Sequence, residues 1–193
     1  DMTAVRLAQL AREAGVEIPI ILLAYDSREL KDLKAHDYTA AFDGVFVWQG
    51  DFRLIVSIIK HLEDRMNVDH DTRLVGVQSI LFIEDNIHYY STLLPILYTE
   101  LLSQSQRLIS EGINLSHKFL RTVARPKILL CRTYEEAWHY FETYKEHILG
   151  IISDIDFPRE GKPDHGAGIR FAKAARSENS ELPVLLQSMT SDY

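Results

Sequence analysis

The sequence predicts an α/β protein, a doubly wound parallel sheet with helices on both faces in three αβα layers. Three observations carry this. Short apolar runs at 79–86 (SILFIEDN), 149–158 (LGIISDIDFP) and 182–188 (LPVLLQS) each end in polar residues. Apolar runs bounded by turn formers read as buried parallel strands. Stretches of helical period separate the runs, the alternation that winds such a sheet. The third observation is an internal repeat. Residues 5–27 lie over residues 169–191 at a shift of 164 without a gap. A parallel sheet of this kind places its ligand crevice at the carboxyl ends of its strands. Glu84 and Asp85, Asp154, and Ser188 all fall at such ends, so the pattern predicts one pocket.

The composition narrows the class. A chain of 193 residues with 46% hydrophobic and 25% charged residues can bury a core in one or two domains and is not globally disordered. A net charge of -7 argues against the basic stripe of a nonspecific nucleic-acid surface. The single cysteine, Cys131, has no internal disulfide partner and sits in the apolar run KILLC, as a small core residue does. That fits a reducing compartment, and we expect a cytoplasmic protein with no membrane partner. No apolar run approaches the ~20 residues of a membrane span.

In chain order, residues 3–14 form a helix with Val5, Leu7, Ala8, Leu10 and Ala11 on its apolar side and Gly15 as its stop. Residues 18–25 form a strand, with Pro19 tolerated near its start. Ser27 is placed to cap a helix to about residue 36, and a short strand spans 45–48. Leu54, Ile55, Ile58, Ile59 and Leu62 give residues 52–66 one helical face. The charged stretch 67–77 reads as a linker. After the strand at 80–83, Leu93, Leu94, Leu97 and Leu101 mark a long helix from 87 to about 106, a stripe read as core. Gly112 reads as a break and 114–123 as a further helix. Then follow a strand at 127–131, a helix at 134–147, a strand at 150–153, a polar loop at 159–168, a helix at 168–177 and a strand at 182–187. Trp48 and Trp138 read as packing residues.

The repeat orders these elements. Arg6, Ala8, Ala11, Arg12, Glu17, Pro19, Leu22 and Ser27 meet Arg170, Ala172, Ala175, Arg176, Glu181, Pro183, Leu186 and Ser191. We therefore expect two tandem copies of one fold. Residues 1–73 would be the C-terminal half of the first. Residues 76–193 would be the second without its last helix–strand–helix, with a helical insertion at about 99–125.

At this point the sequence resembles the receiver domain of two-component response regulators. Glu84-Asp85 resembles the acidic pair after that family's first strand, and Asp154, with Pro158 four residues on, its phosphoacceptor aspartate. Ser188 after PVLLQ is similar to the switch hydroxyl of its fourth strand. The resemblance runs in order from residue 79 to 188 and implies a flavodoxin-like sheet of strand order 2-1-3-4. It implies Mg²⁺ held by Glu84, Asp85, Asp154 and the main-chain carbonyl of Asp156, and a phosphoryl group accepted on Asp154. Partners would be a histidine kinase or phosphotransfer protein. Self-association through helices 87–125 or an open sheet edge is also expected. The first copy departs from the family, with Ala24 where Ser188 lies and Trp48-Gln49 where a lysine is expected, so it reads as degenerate. The tandem arrangement and the insertion resemble bacterial proteins that join such domains to a phosphoenolpyruvate-synthase or pyruvate-phosphate-dikinase-like module.

The residue types suit that chemistry. Mg²⁺ takes oxygen ligands, usually one or two carboxylates with waters and phosphate oxygens. Crowded carboxylates repel one another, and a metal keeps them ionised. Two other readings stand beside this one. A receiver-like scaffold without chemistry would serve protein contacts alone. Asp154-Ile155-Asp156 is also similar to the DxD start of haloacid-dehalogenase phosphatases, with Asp154 as nucleophile and Asp156 as acid/base. His117 resembles a kinase phosphohistidine box, but a solvent-facing helix position accounts for it more simply. His139 and His147, eight apart on one expected helix, exceed the i,i+4 spacing of a metal pair and read as surface residues.

Overall fold

The computed structural model describes residues 3–25, 41–110 and 125–188. Thr3 caps α1 (Ala4–Glu13), its hydroxyl accepting the Arg6 N–H at 3.3 Å. Strands β1 (Ile21–Ala24) and β2 (Gly44–Val47) pair in parallel as a two-stranded sheet. Helix α2 (Arg53–Val75) follows. Next come β3 (Ser79–Ile83), α3 (Ile87–Ser110), β4 (Lys127–Cys131) and α4 (Tyr134–Tyr144). The chain continues through β5 (Ile148–Asp154), a hairpin of β6 (Phe157–Arg159) and β7 (Lys162–Asp164), α5 (Ala167–Glu178) and β8 (Val184–Gln187).

The main sheet is four-stranded and wholly parallel, in the order β4-β3-β5-β8. Numbered within the second repeat this is 2-1-3-4, as expected. Side chains alternate across each strand. Leu81, Ile83, Leu129, Cys131 and Ile151 face a core shared with Ala137 and Phe141 of α4 and Phe171 and Ala175 of α5. Phe82, Ile128 and Leu130 face the other way, into a core shared with Tyr90, Leu94 and Tyr98 of α3 and Leu54 and Ile58 of α2. Three αβα layers result. Cys131 is fully buried, and Trp48 and Trp138 pack against the cores, as the sequence suggested.

Three expectations need correction. The stretch 67–77 is no linker, since α2 runs unbroken to Val75 and stops at Gly76 in the left-handed region. Its polar residues are buried for a reason. Asp64 takes the Arg125 guanidinium through both carboxylate oxygens (2.6 and 3.0 Å), the Tyr98 hydroxyl (2.9 Å) and the Ile128 N–H (2.9 Å). Asp71 pairs with Lys127 at 2.6 Å. The loop at 159–168 contains the β6–β7 hairpin, with Glu160 and Gly161 both at positive φ in its turn. The helix expected at 134–147 ends at Tyr144, so His147 lies on a separate 3₁₀ turn. Strands β1 and β2 stand apart from the main sheet, and among the described residues no strand covers the outer edge of β8.

The first half packs instead on the far side of the main sheet. The Tyr90 hydroxyl donates to the Val45 carbonyl (2.5 Å), and the Val47 N–H donates to Ser91 Oγ (3.0 Å). Helix α3 spans 24 residues, about 36 Å, through Pro95. It therefore includes the first part of the expected insertion, 99–110. The helix after Ser27, the break at Gly112, the helix at 114–123, His117 and the end of the repeat at Ser191 lie outside the described residues.

Candidate metal centre at the strand ends

The carboxyl ends of β3 and β5 lie side by side, with Ile83 opposite Ser153. That register puts Glu84, Asp85 and Asp154 together. One oxygen from each lies within 4.8 Å of the others. Glu84 is fully buried, the other two partly. The Glu84 carboxylate accepts the Asn86 N–H at 3.0 Å through Oε1 and the Gln187 amide at 3.0 Å through Oε2. Asp154 Oδ1 accepts the Ile155 N–H at 2.8 Å.

These surroundings suit the protonated form of the acids. Burial, then the neighbouring charges of Asp154 and Asp85, push the Glu84 carboxyl up to about 7 despite its two hydrogen bonds. Burial also raises Asp154, aided by the Asp156 carboxylate. A divalent cation would reverse the balance at both residues, since its charge favours ionised oxygens. The donor set is all oxygen, which suits a hard cation such as Mg²⁺.

Asp156 behaves differently. Its side chain accepts the Gly166 N–H (2.8 Å) and meets His165 Nδ1 (3.1 Å). Those two hydrogen bonds hold its carboxyl below the usual range. Gly166 precedes the first residue of α5, so Asp156 ties the β6–β7 hairpin to that helix. Ser188 lies one residue beyond β8 and is exposed.

Two residues of the site escaped the sequence reading. Gln187 stands opposite Asp154 in the β5–β8 register, and its amide reaches across to Glu84. An amide where an apolar run stops looks like any polar strand end, so only the register shows its role. Gly168 is set by close approach. A Cβ there would lie 2.1 Å from the Asp154 carbonyl oxygen, and its N–H donates to the Ile155 carbonyl at 2.9 Å. The signal was a glycine inside the first turn of a helix, where it is otherwise unfavourable.

No family model, curated protein or solved structure matches this chain. No helix among the described residues is long and apolar enough to cross a membrane.

Proposed function

We propose that residues 76–193 form a flavodoxin-like receiver domain that binds Mg²⁺ and accepts a phosphoryl group on Asp154. In this reading residues 1–73 are a degenerate half-copy of the same fold. The observation that carries it is the convergence of Glu84, Asp85 and Asp154 at the ends of two adjacent parallel strands. Mg²⁺ would draw on oxygens of Glu84, Asp85, Asp154 and the main-chain carbonyl of Asp156. It would supply positive charge to the phosphoryl oxygens. An Asp154 carboxylate oxygen forms the new bond to phosphorus, and the bond to the donor's leaving group breaks with its electron pair departing. Ser188 would hydrogen-bond a phosphoryl oxygen. The phosphoryl donor would be a histidine kinase or phosphotransfer protein of the cytoplasm.

One observation favours the scaffold reading instead. Glu84 is already supplied with two donors from within the chain, one to each carboxylate oxygen. Beryllofluoride with Mg²⁺ separates the two. A phosphoacceptor should show NMR shifts at Asp85, Asp154 and Ser188, and Asp154→Asn should abolish labelling by acetyl phosphate. An unchanged spectrum at those residues leaves the scaffold reading standing.

A further inference from the structure

The order β4-β3-β5-β8 places β5 between β3 and β8. Neighbouring strands lie about 4.8 Å apart, so β3 and β8 are separated by about 10 Å. Yet the Gln187 amide, at the end of β8, donates to Glu84 Oε2, one residue past β3, at 3.0 Å. That bond passes over the end of β5, where Asp154 is the last residue. Gln187 stands opposite Asp154 in the β5–β8 register, and Ile83 opposite Ser153 puts Glu84 level with Asp154. Alternation along the strands places all three on one face of the sheet, the face of Phe82 and Ile152.

Glu84 is fully buried, so its carboxylate is aimed by its partners and not by bulk water. The Asn86 N–H on Oε1 is local, two residues along the chain. The Gln187 amide on Oε2 comes from 103 positions away and fixes the carboxylate against a different strand. The main chain of Gln187 is held as well, its carbonyl accepting the Ile155 N–H at 3.1 Å. Gln187 is thus tied to β5 by its backbone and to Glu84 by its side chain, one residue before Ser188. A carboxylate offers about four acceptor sites, and these two bonds take two of them. Glu84 can therefore keep both donors and still face a cation.

We propose that Gln187 is a positioning residue of the acidic site, holding the Glu84 carboxylate beside Asp85 and Asp154 from across β5 and so strengthening the hold on a divalent cation. The inference rests on the reading of those three acids as a Mg²⁺ site and names a residue on which that site depends. Hydrogen-bonding partners behind a ligating side chain typically contribute about ten- to a hundredfold in metal affinity. An amide suits the place. It donates without adding charge, whereas a lysine would neutralise one of the acids and a carboxylate would add a further negative charge. Reach matters too, since the side chain must extend from β8 over the end of β5. The same contact ties the acids to the end of β8, the strand that leads into Ser188.

The test uses the whole chain at pH 8 with Mg²⁺ alone as the probe. NMR follows the signals of Asp85 and Asp154 through the titration, and the Asn86 amide in the metal-free protein. Gln187→Leu keeps the bulk and loses the donor. Gln187→Asn keeps the amide and loses the reach. Both variants should need about tenfold more Mg²⁺ than the wild type. Both should also shift the Asn86 amide before any metal is added, because the carboxylate it donates to is no longer held. The Ile155 amide should stay protected from exchange in both, since its bond goes to the main chain of residue 187 and reports that the sheet is in place. Equal Mg²⁺ affinity in the three proteins would overturn the proposal and leave Gln187 as a partner that only satisfies a buried acid. Tighter binding in Gln187→Leu would overturn it by making Gln187 a competitor of the cation. Wild-type affinity in Gln187→Asn would remove the argument from reach. A wild type without any Mg²⁺ response is a different failure and overturns the cation reading itself. The Asn86 amide then still decides whether Gln187 aims the Glu84 carboxylate.

Discussion

Two clusters of buried charge lie on this sheet, and they are built on opposite plans. Around Asp64 and Asp71 the charges balance, two carboxylates against Arg125 and Lys127. Asp64 is completely buried and Lys127 is 3% exposed, yet every charged group there has an opposite. Burial works to raise the Asp71 carboxyl, but its hydrogen bonds to Lys127 and His70 prevail and hold it below the usual range. At the other end of the strands, Glu84 accepts the amides of Asn86 and Gln187 and Asp154 that of Ile155, and both carboxyls are raised. The first cluster is complete within the chain and acts as a joint between α2 and β4. The second brings three carboxylates together, and a cation would favour their ionised forms. The comparison sets charge balanced within the chain beside a group of acids that could hold a cation.

The largest expected effect comes from breaking the balanced cluster. Asp64→Ala leaves the Arg125 guanidinium, the Tyr98 hydroxyl and the Ile128 N–H without their acceptor. Removing one partner of a buried ion pair costs about 3–5 kcal/mol, so the urea midpoint should fall steeply. The unbalanced cluster should respond in the opposite direction. The folded chain holds the Glu84 proton more tightly than the unfolded chain, whose ordinary value is 4.5. Stability should therefore fall as pH rises from about 4.5 to about 7, and the loss should be complete above that. Glu84→Gln should remove this dependence and stabilise the metal-free protein at pH 8 by about 3 kcal/mol. Equal pH profiles for the two proteins would contradict the account of Glu84.

Gly168→Ala tests the geometry between helix and strand. The added methyl meets backbone, which cannot yield as a side chain can, and the expected cost is about 1–3 kcal/mol by denaturant titration. Smaller still is the effect of the cation. At ten times its dissociation constant, Mg²⁺ should stabilise the wild type by about 1.4 kcal/mol at pH 8. It should do so much less in Glu84→Gln and Asp154→Asn. An identical gain in all three proteins would move the binding elsewhere.

Much of this was legible in the sequence, because parallel strands write themselves as apolar runs and their ends as polar stops. The parallel strands and the placing of Glu84, Asp85 and Asp154 at their carboxyl ends follow from that pattern, while the strand order is an implication of the family resemblance. Helix α2 beyond residue 66 was not legible, since Asp64 and Asp71 look like solvent-facing charges until Arg125 and Lys127 arrive from sixty-one and fifty-six positions away. The same limit hid Gln187, 103 positions from Glu84. Cross-strand register decides such contacts, and no local period encodes it.

The smallest prediction concerns the repeat. Arg12 donates to the Val16 carbonyl at 2.8 Å, and Arg176 donates to the Ser180 carbonyl at 3.1 Å, the same contact at the same shift of 164. Each guanidinium closes the end of its helix and turns the chain toward the following strand, β1 or β8. The two arginines differ in what else they hold. Arg12 also donates to the Ile18 carbonyl at 3.0 Å and pairs with Asp43, which lies just before β2. No such strand stands beside β8 among the described residues. Arg176→Ala should then cost about 0.5 kcal/mol, the worth of one exposed hydrogen bond. Arg12→Ala should cost about 1 kcal/mol more, because it also loosens the β1–β2 pair. Hydrogen exchange gives the finer reading. Arg12→Ala should speed exchange at Val45 and Phe46, while Arg176→Ala should leave the amides of β5 protected. Equal effects of the two substitutions would mean that Asp43 adds nothing to the joint, and that the two helix–strand units are held in the same way.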